Sequence, residues 1–236
     1  MFPVRPEGAA VSMRAQASPN PHLASPVMRW GAPPARARLA VLLVHGRGQS
    51  AAWIRAEVAD RLALDDLAWA APEAHGGSWY PERFLAPVEM NEPRLSQALE
   101  RIERLSSEIA SQGVPVERQV LVGFSQGACL LGEHAWRSRL RYGALSMLTG
   151  ALIGPPSAPR PACAGALDGL PVLLSSGEDD PHVSAASVAQ TGDRLRAAGA
   201  HVEQAWWPDG EHRVRDGEIE RLRRLLTAVG RSERDS

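Results

Sequence analysis

Apolar residues in this chain follow two alternating patterns. Continuous apolar runs such as Leu39–Val44 and residues 121–124 lead into glycine-containing loops, and each loop is followed by apolar residues at helical spacing. A strand that is apolar at every position is typical of a parallel sheet covered on both faces. The alternation of such strands with helices predicts a mostly parallel, doubly wound α/β sheet flanked by helices.

Further elements continue this alternation. Five apolar residues spaced three or four apart predict a helix over residues 93–112, which Gly113 would end. The other predicted strands are residues 67–71, 142–148, 170–177 and 201–207. The other predicted helices run from Trp53 to Leu62, from Gln126 towards Trp136, over residues 184–198 and over residues 216–229.

The chain is 236 residues long, a length that favours one domain of moderate size. Residues 1–24 mix Pro, Ala, Ser and Arg without the apolar segment of a signal peptide, and we expect a disordered leader there. The α/β domain is predicted over residues 25–230 and a flexible tail over residues 231–236. No window approaches the roughly 20 apolar residues that a membrane span needs.

Charge and composition exclude several functions. The net charge is −1, so no bulk positive field would attract nucleic acid or an anionic membrane surface. All 26 basic residues are arginine. Without lysine there can be no P-loop, no pyridoxal Schiff base and no Ser-Lys dyad, and we expect no cofactor. Two cysteines, Cys129 and Cys163, are too few for a disulfide framework and favour a reducing, cytoplasmic compartment.

The predicted strand at residues 118–124 leads into Gly123-Phe124-Ser125-Gln126-Gly127, a Gly-x-Ser-x-Gly pattern between this strand and a predicted helix. A serine at such a corner sits on a tight turn with its hydroxyl exposed, which suits a catalytic nucleophile. The pattern is weak alone, because Gly and Ser are common in turns. A base, an acid and an oxyanion hole must therefore come from elsewhere in the chain.

Two later strand ends offer the acid and the base. Residues 178–180 are Glu-Asp-Asp, of which Asp180 is favoured because the following proline biases it to an extended backbone; Asp179 is the alternative. His212 follows the last predicted strand and is preferred as the base over His182, which lies beside the acids. The order Ser, Asp, His is that of α/β-hydrolases.

The oxyanion donors and the pocket are predicted from the remaining loops. The backbone N–H groups of Gln126, at a helix start, and Arg47, in the loop after the first strand, are the expected oxyanion donors. His45 would shape that loop. The aromatic segment with Trp79 and Tyr80, together with Trp207, is expected to line an apolar substrate pocket, although these side chains could equally pack a loop onto the body.

These motifs resemble the phospholipase/carboxylesterase family of α/β-hydrolases, which includes the acyl-protein thioesterases. The resemblance extends over about residues 39–226. It is carried by four motifs, namely His45-Gly46-Arg47-Gly48, Gly123-Phe124-Ser125-Gln126-Gly127-Ala128, Gly177 through Asp180-Pro181 to Val183, and Gly210 to His212. The resemblance implies the α/β-hydrolase fold, a Ser125-Asp180-His212 triad and oxyanion amides at Arg47 and Gln126.

The chain departs from the family pattern in two places. Glu211 stands directly before the histidine, where the family often has glycine, and Ser184 replaces a frequent proline after the acid. The segment from Trp79 to Pro93 is more similar to a bacterial branch of small carboxylesterases than to thioesterases of lipidated proteins. The departures therefore weigh against protein depalmitoylation.

The predicted function is hydrolysis of short to medium acyl esters through an acyl-enzyme on Ser125. The expected substrate is a small molecule, and whether the protein forms a homodimer is left open. A thioesterase or lysophospholipase with the same triad is the first alternative. A noncatalytic ligand receptor on a hydrolase scaffold is the second, although receptor function alone would not need all three triad residues. A third alternative is a metal-dependent hydrolase using Asp179, Asp180, His182 and His212.

Overall fold

A computed structural model describes residues 19–160 and 165–229. In this part of the chain seven strands form a single sheet in the order β1-β3-β2-β4-β5-β6-β7. The strands are β1 (Val27–Gly31), β2 (Leu39–Val44), β3 (Leu67–Pro72), β4 (Gln119–Phe124), β5 (Ala144–Leu148), β6 (Pro171–Gly177) and β7 (His201–Trp207). Strand β1 is antiparallel to β3, and every other pairing is parallel. The predicted mostly parallel α/β sheet is confirmed.

Helices follow the parallel strands. They are α1 (Ala51–Ile54), α2 (Asp60–Leu62), α3 (Arg94–Ser111), α4 (Gln126–Arg137), α5 (Ala185–Ala197) and α6 (Asp216–Val229). A π-helical turn, Arg55–Ala59, joins α1 to α2, so the chain is helical without interruption between them. No helix in residues 19–160 and 165–229 is both long and apolar enough to cross a bilayer.

Two hydrophobic layers bury the two faces of the sheet. Leu42 and Leu121 belong to the layer that includes apolar residues of α3, α4 and α5. Val41 and Val122, their neighbours along the same strands, belong to the opposite layer with residues of α1, α2 and α6. Successive strand residues point to opposite faces, so a strand with helices on both sides must be apolar at every position. This is the physical origin of the continuous apolar runs.

The parallel register brings the carboxyl ends of the central strands to one edge of the sheet. Val44 is paired with Gly123, and Phe124 with Leu148. Further along the sheet, Gly177 is paired with Trp207. The loops after β2, β4, β6 and β7 therefore open on the same side, which is where open α/β sheets bind their ligands.

Two features differ from the sequence-based expectation. Strand β1 was not predicted, because its alternating half-buried pattern at an antiparallel edge lacks a continuous apolar run. Residues 21–24, predicted to belong to a disordered leader, form a 3-10 turn in which His22 is fully buried. Residues 1–18 of the leader, and the tail 231–236, lie outside the described residues.

Candidate active site

Ser125 lies at the corner between β4 and α4. Its backbone has φ 53° and ψ −121°, a region that non-glycine residues rarely occupy and that the surrounding structure must enforce. The N–H of Ser125 donates to the Leu148 carbonyl at 3.0 Å. A Cβ on Gly127 would lie 2.3 Å from the Val44 carbonyl oxygen, so only glycine lets α4 start this close to β2.

Ser125 belongs to a chain of hydrogen bonds with His212 and Asp180. The His212 Nε2 lies 2.8 Å from the Ser125 Oγ, and the His212 Nδ1 lies 2.8 Å from the Asp180 Oδ2. The Asp180 side chain is fully buried, and its Oδ1 accepts the backbone N–H groups of His182 and Val183, each at 2.9 Å. With both oxygens held, the carboxylate has a fixed orientation towards the imidazole.

The alternative acids and base lie nearby without replacing these residues. Glu178 and Asp179 are exposed. The ring of His182 packs edge-on against that of His212, with centroids 4.7 Å apart, and is likewise exposed. Within residues 19–160 and 165–229 no three His, Cys, Asp or Glu side chains are grouped so that they could hold a metal ion.

Arg47 and Gln126, whose backbone N–H groups are the predicted oxyanion donors, line the same cavity as Ser125. Gln126 is the first residue of α4, where an α-helix has no intrahelical acceptor for its N–H. In the loop after β2, the Gly46 N–H donates to the Gln49 Oε1 and the Gly48 N–H donates to the Gly77 carbonyl. The N–H of Arg47, between them, has no hydrogen-bond acceptor within the described part of the chain.

The side chains of these same two residues hold the segment 78–82, which we call the wall loop. The Gln126 Oε1 accepts the Trp79 N–H at 3.0 Å, and its Nε2 donates to the Tyr80 carbonyl at 2.8 Å. The Arg47 guanidinium donates to the carbonyls of Tyr80, Pro81 and Glu82 at 3.0, 2.6 and 2.6 Å. Each of these residues thus holds the wall loop with its side chain, while its backbone carries the N–H that is predicted to bind the oxyanion.

Two buried histidines support the wall loop from behind. The His45 Nε2 accepts the Ala74 N–H at 3.1 Å, and the His22 Nδ1 accepts the His75 N–H at 3.1 Å. Both rings pack against Trp79, at 5.1 and 5.5 Å between centroids. Burial lowers the pKa of His22 to about 4 and also lowers the pKa of His45, so both imidazoles are neutral acceptors near pH 7.

A cavity of about 420 Å³ opens beside Ser125. Its apolar part is formed by Tyr80, Phe84, Cys129 and Val183, all buried, and its mouth by Arg47, Glu82, Arg83 and His182. Burial raises the pKa of the Cys129 thiol to about 11, which keeps it protonated and a poor competing nucleophile.

Of the four residues predicted to shape the pocket, one lines it. Tyr80 forms part of the cavity, whereas Trp79 and His45 are fully buried behind the wall loop. The Trp79 Nε1 donates to the His45 carbonyl at 2.8 Å, so these two serve as packing for the loop. Trp207 lies at the end of β7 under Arg215, whose guanidinium is 5.6 Å from the ring centroid.

Sequence reasoning missed further residues around the site. Arg83 lines the cavity without any motif that marks it. Phe84 and Val183 also line it, and they lie in the aromatic segment and in the Gly177-to-Val183 motif without having been assigned to the pocket. Arg215 is buried below the loop of His212. One local signal was available, since Arg215 is followed three residues later by Glu218, whose Oε2 accepts the Arg215 N–H at 2.7 Å as in a capping box.

Comparison with known proteins gives this arrangement its class. The family model for Phospholipase/Carboxylesterase matches residues 31–229. The crystal structure of a phospholipase/carboxylesterase from Dyadobacter fermentans DSM 18053 is 36% identical with a TM-score of 0.78, over 86% of this chain and 96% of that one. No curated protein matches the chain.

Two plant proteins share the fold at lower identity. Arabidopsis thaliana SOBER1 is 20% identical with a TM-score of 0.68, over 81% of this chain and 98% of that one. Zea mays acyl-protein thioesterase 2 is 18% identical with a TM-score of 0.68, over 87% of this chain and 99% of that one.

The fold and the family together define a carboxylic ester hydrolase of the α/β-hydrolase type. This chain belongs to the phospholipase/carboxylesterase family, as the motifs around Ser125 indicated.

Proposed function

We propose that the protein hydrolyses short to medium acyl esters through an acyl-enzyme on Ser125. The observation that carries the proposal is the continuous chain from the Ser125 Oγ through His212 to the Asp180 carboxylate, with both steps at 2.8 Å. A serine hydroxyl is a poor nucleophile near pH 7, and a hydrogen-bonded imidazole that takes its proton is what activates it.

In the first half of the reaction, the Ser125 Oγ attacks the ester carbonyl carbon while its proton moves to the His212 Nε2. The resulting tetrahedral intermediate expels the alkoxide, which takes the proton from His212 and leaves as the alcohol. In the second half, His212 removes a proton from water, the hydroxide attacks the acyl-enzyme, and Ser125 leaves with the proton. The acid is released and the free enzyme is restored.

Asp180 and the two amides complete the proposed machinery. Asp180 accepts the Nδ1–H of His212, which holds Nε2 unprotonated towards Ser125 and stabilises the imidazolium that forms. The backbone N–H groups of Arg47 and Gln126 would donate to the oxyanion of each tetrahedral intermediate. One such donor typically contributes about 3 kcal/mol to transition-state stabilisation. None of these steps needs a metal or an organic cofactor.

The shape of the cavity supports the acyl-length assignment. Tyr80, Phe84 and Cys129 are buried at its apolar end, and a volume of about 420 Å³ suits a short chain better than a long one. Charged residues lie only at the mouth, so the acyl chain would be neutral. We also propose a cytoplasmic location. Cys129 is a buried free thiol, and free thiols are typical of proteins in a reducing compartment.

Intact-mass spectrometry after incubation with a fluorophosphonate tests the nucleophile. We expect one adduct on the wild type and none on Ser125→Ala. A panel of p-nitrophenyl esters then tests the substrate class, with turnover expected to peak between acetate and octanoate. Absence of an adduct on folded wild type would favour a noncatalytic receptor, and highest turnover on palmitate would overturn the short-acyl assignment.

A second candidate function is a thioesterase or lysophospholipase with the same three residues. It is favoured by Leu85 and Met90, which are 38% and 56% exposed and are the only large hydrophobic side chains exposed among residues 19–160 and 165–229. Both lie just after the wall loop, where they could touch a lipid aggregate. Turnover of an acyl-thioester or of lysophosphatidylcholine above that of p-nitrophenyl butyrate would move this candidate ahead.

A further inference from the structure

Arg215 reaches the backbone on both sides of His212. It is 2% exposed and stands immediately before helix α6. Its Nη2 donates to the Glu211 carbonyl at 2.5 Å, and its Nη1 donates to the Arg213 carbonyl at 3.3 Å. These are the two carbonyls that flank His212 in the chain. One planar guanidinium therefore holds the peptide that precedes His212 and the peptide that joins Arg213 to Val214.

The guanidinium is itself held in place by an acid at the start of the same loop. Its Nε and Nη2 donate to the two carboxylate oxygens of Asp209 at 2.9 and 2.5 Å, a bidentate pairing that restricts rotation of both groups. The Asp209 Oδ1 also accepts the Glu211 N–H at 3.1 Å. The hydrogen bond from Arg215 lowers the pKa of Asp209 to about 2, so this acid is ionised at any working pH.

The residues packed around Arg215 restrict the movement of its guanidinium. Glu218 accepts the Arg215 N–H and also the Ser175 hydroxyl, at 2.7 Å in each case. A Cβ on Gly177, at the end of β6, would lie 2.6 Å from the Arg215 Nη2 and 2.6 Å from the Asp209 carbonyl oxygen. Glycine at position 177 thus provides the space that the guanidinium occupies.

We propose that Arg215 is a positioning residue that sets where the imidazole of His212 stands between Ser125 and Asp180. The inference rests on the proposed function. The loop around His212 is half exposed and contains Gly210, so it has no regular structure to hold it. The Arg215-Asp209 pair supplies that support across the loop. The same pair contacts the backbone of Glu211, the residue that replaces the glycine that the family often has before its histidine.

The test compares Arg215→Gln with Arg213→Gln on the same loop. The Arg213 side chain is exposed and pairs with Glu211, so its substitution removes one positive charge next to His212 and leaves the hydrogen bonds of the Arg215-Asp209 pair intact. We expect Arg215→Gln to lower kcat for p-nitrophenyl acetate and the fluorophosphonate labelling rate at least about ten-fold, with KM within about two-fold. Arg213→Gln is expected to stay within about two-fold of wild type in both.

Two further variants separate positioning from folding. In Gly177→Ala the added Cβ meets both the Arg215 guanidinium and the Asp209 carbonyl, so it displaces both partners of the support while the charge of Arg215 remains, and we expect the same kcat loss. Combining Asp209→Asn with Arg215→Gln should lower kcat no further than Arg215→Gln alone, because both act through one support. If Arg215→Gln does not fold, Gly177→Ala and Asp209→Asn carry the test.

A spectroscopic signal keeps this proposal distinguishable from the proposed function. The Nδ1–H of His212, bonded to Asp180, should give a far-downfield proton resonance, assigned by its loss in His212→Gln. We expect this resonance to shift or broaden in Arg215→Gln and to persist in Arg213→Gln, whether or not any ester is turned over. A folded Arg215→Gln or Gly177→Ala with wild-type kcat and an unchanged resonance would overturn the proposal. Inactive wild type with the expected resonance changes would instead overturn the proposed function alone.

Discussion

Two loops approach Ser125 from opposite sides, and they are held in place by different chemistry. The loop over residues 207–215 presents His212, and a charged pair of Arg215 and Asp209 braces it. The wall loop, residues 78–82, forms one side of the cavity. The neutral Gln126 amide and the Arg47 guanidinium both hold it, and buried imidazoles support the residues that precede it. The acceptors of the Arg47 guanidinium are three backbone carbonyls and not a carboxylate.

The difference follows from burial. Asp209 retains 28% of its side-chain exposure, so water helps to solvate the pair with Arg215. His22 and His45 are fully buried, and a charge on either ring would lose its hydration without a full partner. An ion pair therefore braces the loop that reaches solvent, whereas the groups that support the wall loop from the core side are uncharged. The two supports should respond differently to mutation and to pH.

Removing the proposed base should give the largest effect, and it sets the scale for both loops. We expect His212→Gln to lower kcat for p-nitrophenyl acetate by about 10⁴-fold or more, because the proposed mechanism transfers the Ser125 proton to His212. Steady-state kinetics with the Ser125→Ala background subtracted measures this. His182→Gln is the matched variant, and retention of most activity there is expected. If His182→Gln lost as much as His212→Gln, the base would have to be reassigned.

Acid should weaken the wall loop before it weakens the loop of His212. The pKa of His22 falls from its ordinary 6.5 to about 4 in the folded protein, so between these values the unfolded chain binds more protons than the folded one. Stability from this group is complete above about pH 6.5 and is lost as the pH falls towards 4. A shift of this size corresponds to about 3 kcal/mol.

The charged groups around His22 act in the same direction as burial. Arg94, Arg101 and His75 all lower its pKa, and the Trp79 carbonyl opposes them only in part. Asp209 has its pKa lowered to about 2, so its pairing with Arg215 should persist until the pH falls well below 4.

The measurement is the free energy of unfolding from denaturant titrations between pH 4 and 7.5, with amide exchange to localise the change. His22→Gln should flatten the pH dependence, and the His75 amide should lose protection at higher pH than the Glu211 amide. Burial also lowers the pKa of His134 to about 4, so His134→Gln serves as the matched variant with a similar global effect and no change at His75. If the His75 and Glu211 amides lost protection from exchange at the same pH, the two loops would not differ in their response to acid.

Substituting Gln126 should damage the wall loop while leaving the predicted oxyanion N–H in the backbone. Gln126→Ala leaves the Trp79 N–H without its acceptor and removes one of the donors to the Tyr80 carbonyl, at a cost of about 2 kcal/mol in unfolding free energy. We expect kcat to fall about ten-fold as the wall loop shifts. Gln112→Ala, at an exposed position after α3, is the control. If kcat were unchanged while the free energy of unfolding fell as expected, the position of the wall loop would have no influence on the rate of ester hydrolysis.

The sequence predicted the parts of this site that depend on short-range pattern. Continuous apolar runs predicted the parallel strands, because burial on both faces leaves no polar positions. Glycines at 123 and 127 predicted the corner at Ser125, where a Cβ on either would clash with backbone atoms. The order Ser, Asp, His at predicted strand ends, and the proline after Asp180, predicted the proposed roles of Asp180 and His212.

The supports of the two loops depend on contacts between distant residues and could not be predicted in this way. His22 accepts the N–H of residue 75, which is 53 positions away, from a segment interpreted as disordered because it lacks periodicity. Trp79 reads as a pocket residue because it is aromatic, yet its indole N–H is satisfied inside the core by the His45 carbonyl. Residue type alone does not tell which side of a loop faces the cavity.

Widening the cavity from the wall side should change selectivity more than rate. Phe84 is 6% exposed and lines the apolar part of the cavity, so Phe84→Ala removes a ring from the space that a longer acyl chain would need. We expect the ratio of kcat/KM for octanoate to that for acetate to rise about five-fold, a change typical of a few methylene groups in an apolar pocket. Glu89→Ala, exposed on the same segment, is the control.

Because the loop of His212 contributes no apolar wall, Gly177→Ala should lower kcat for both esters alike and leave the ratio unchanged. A ratio that moved in Gly177→Ala and not in Phe84→Ala would mean that the loop of His212, and not the wall loop, limits the acyl chain.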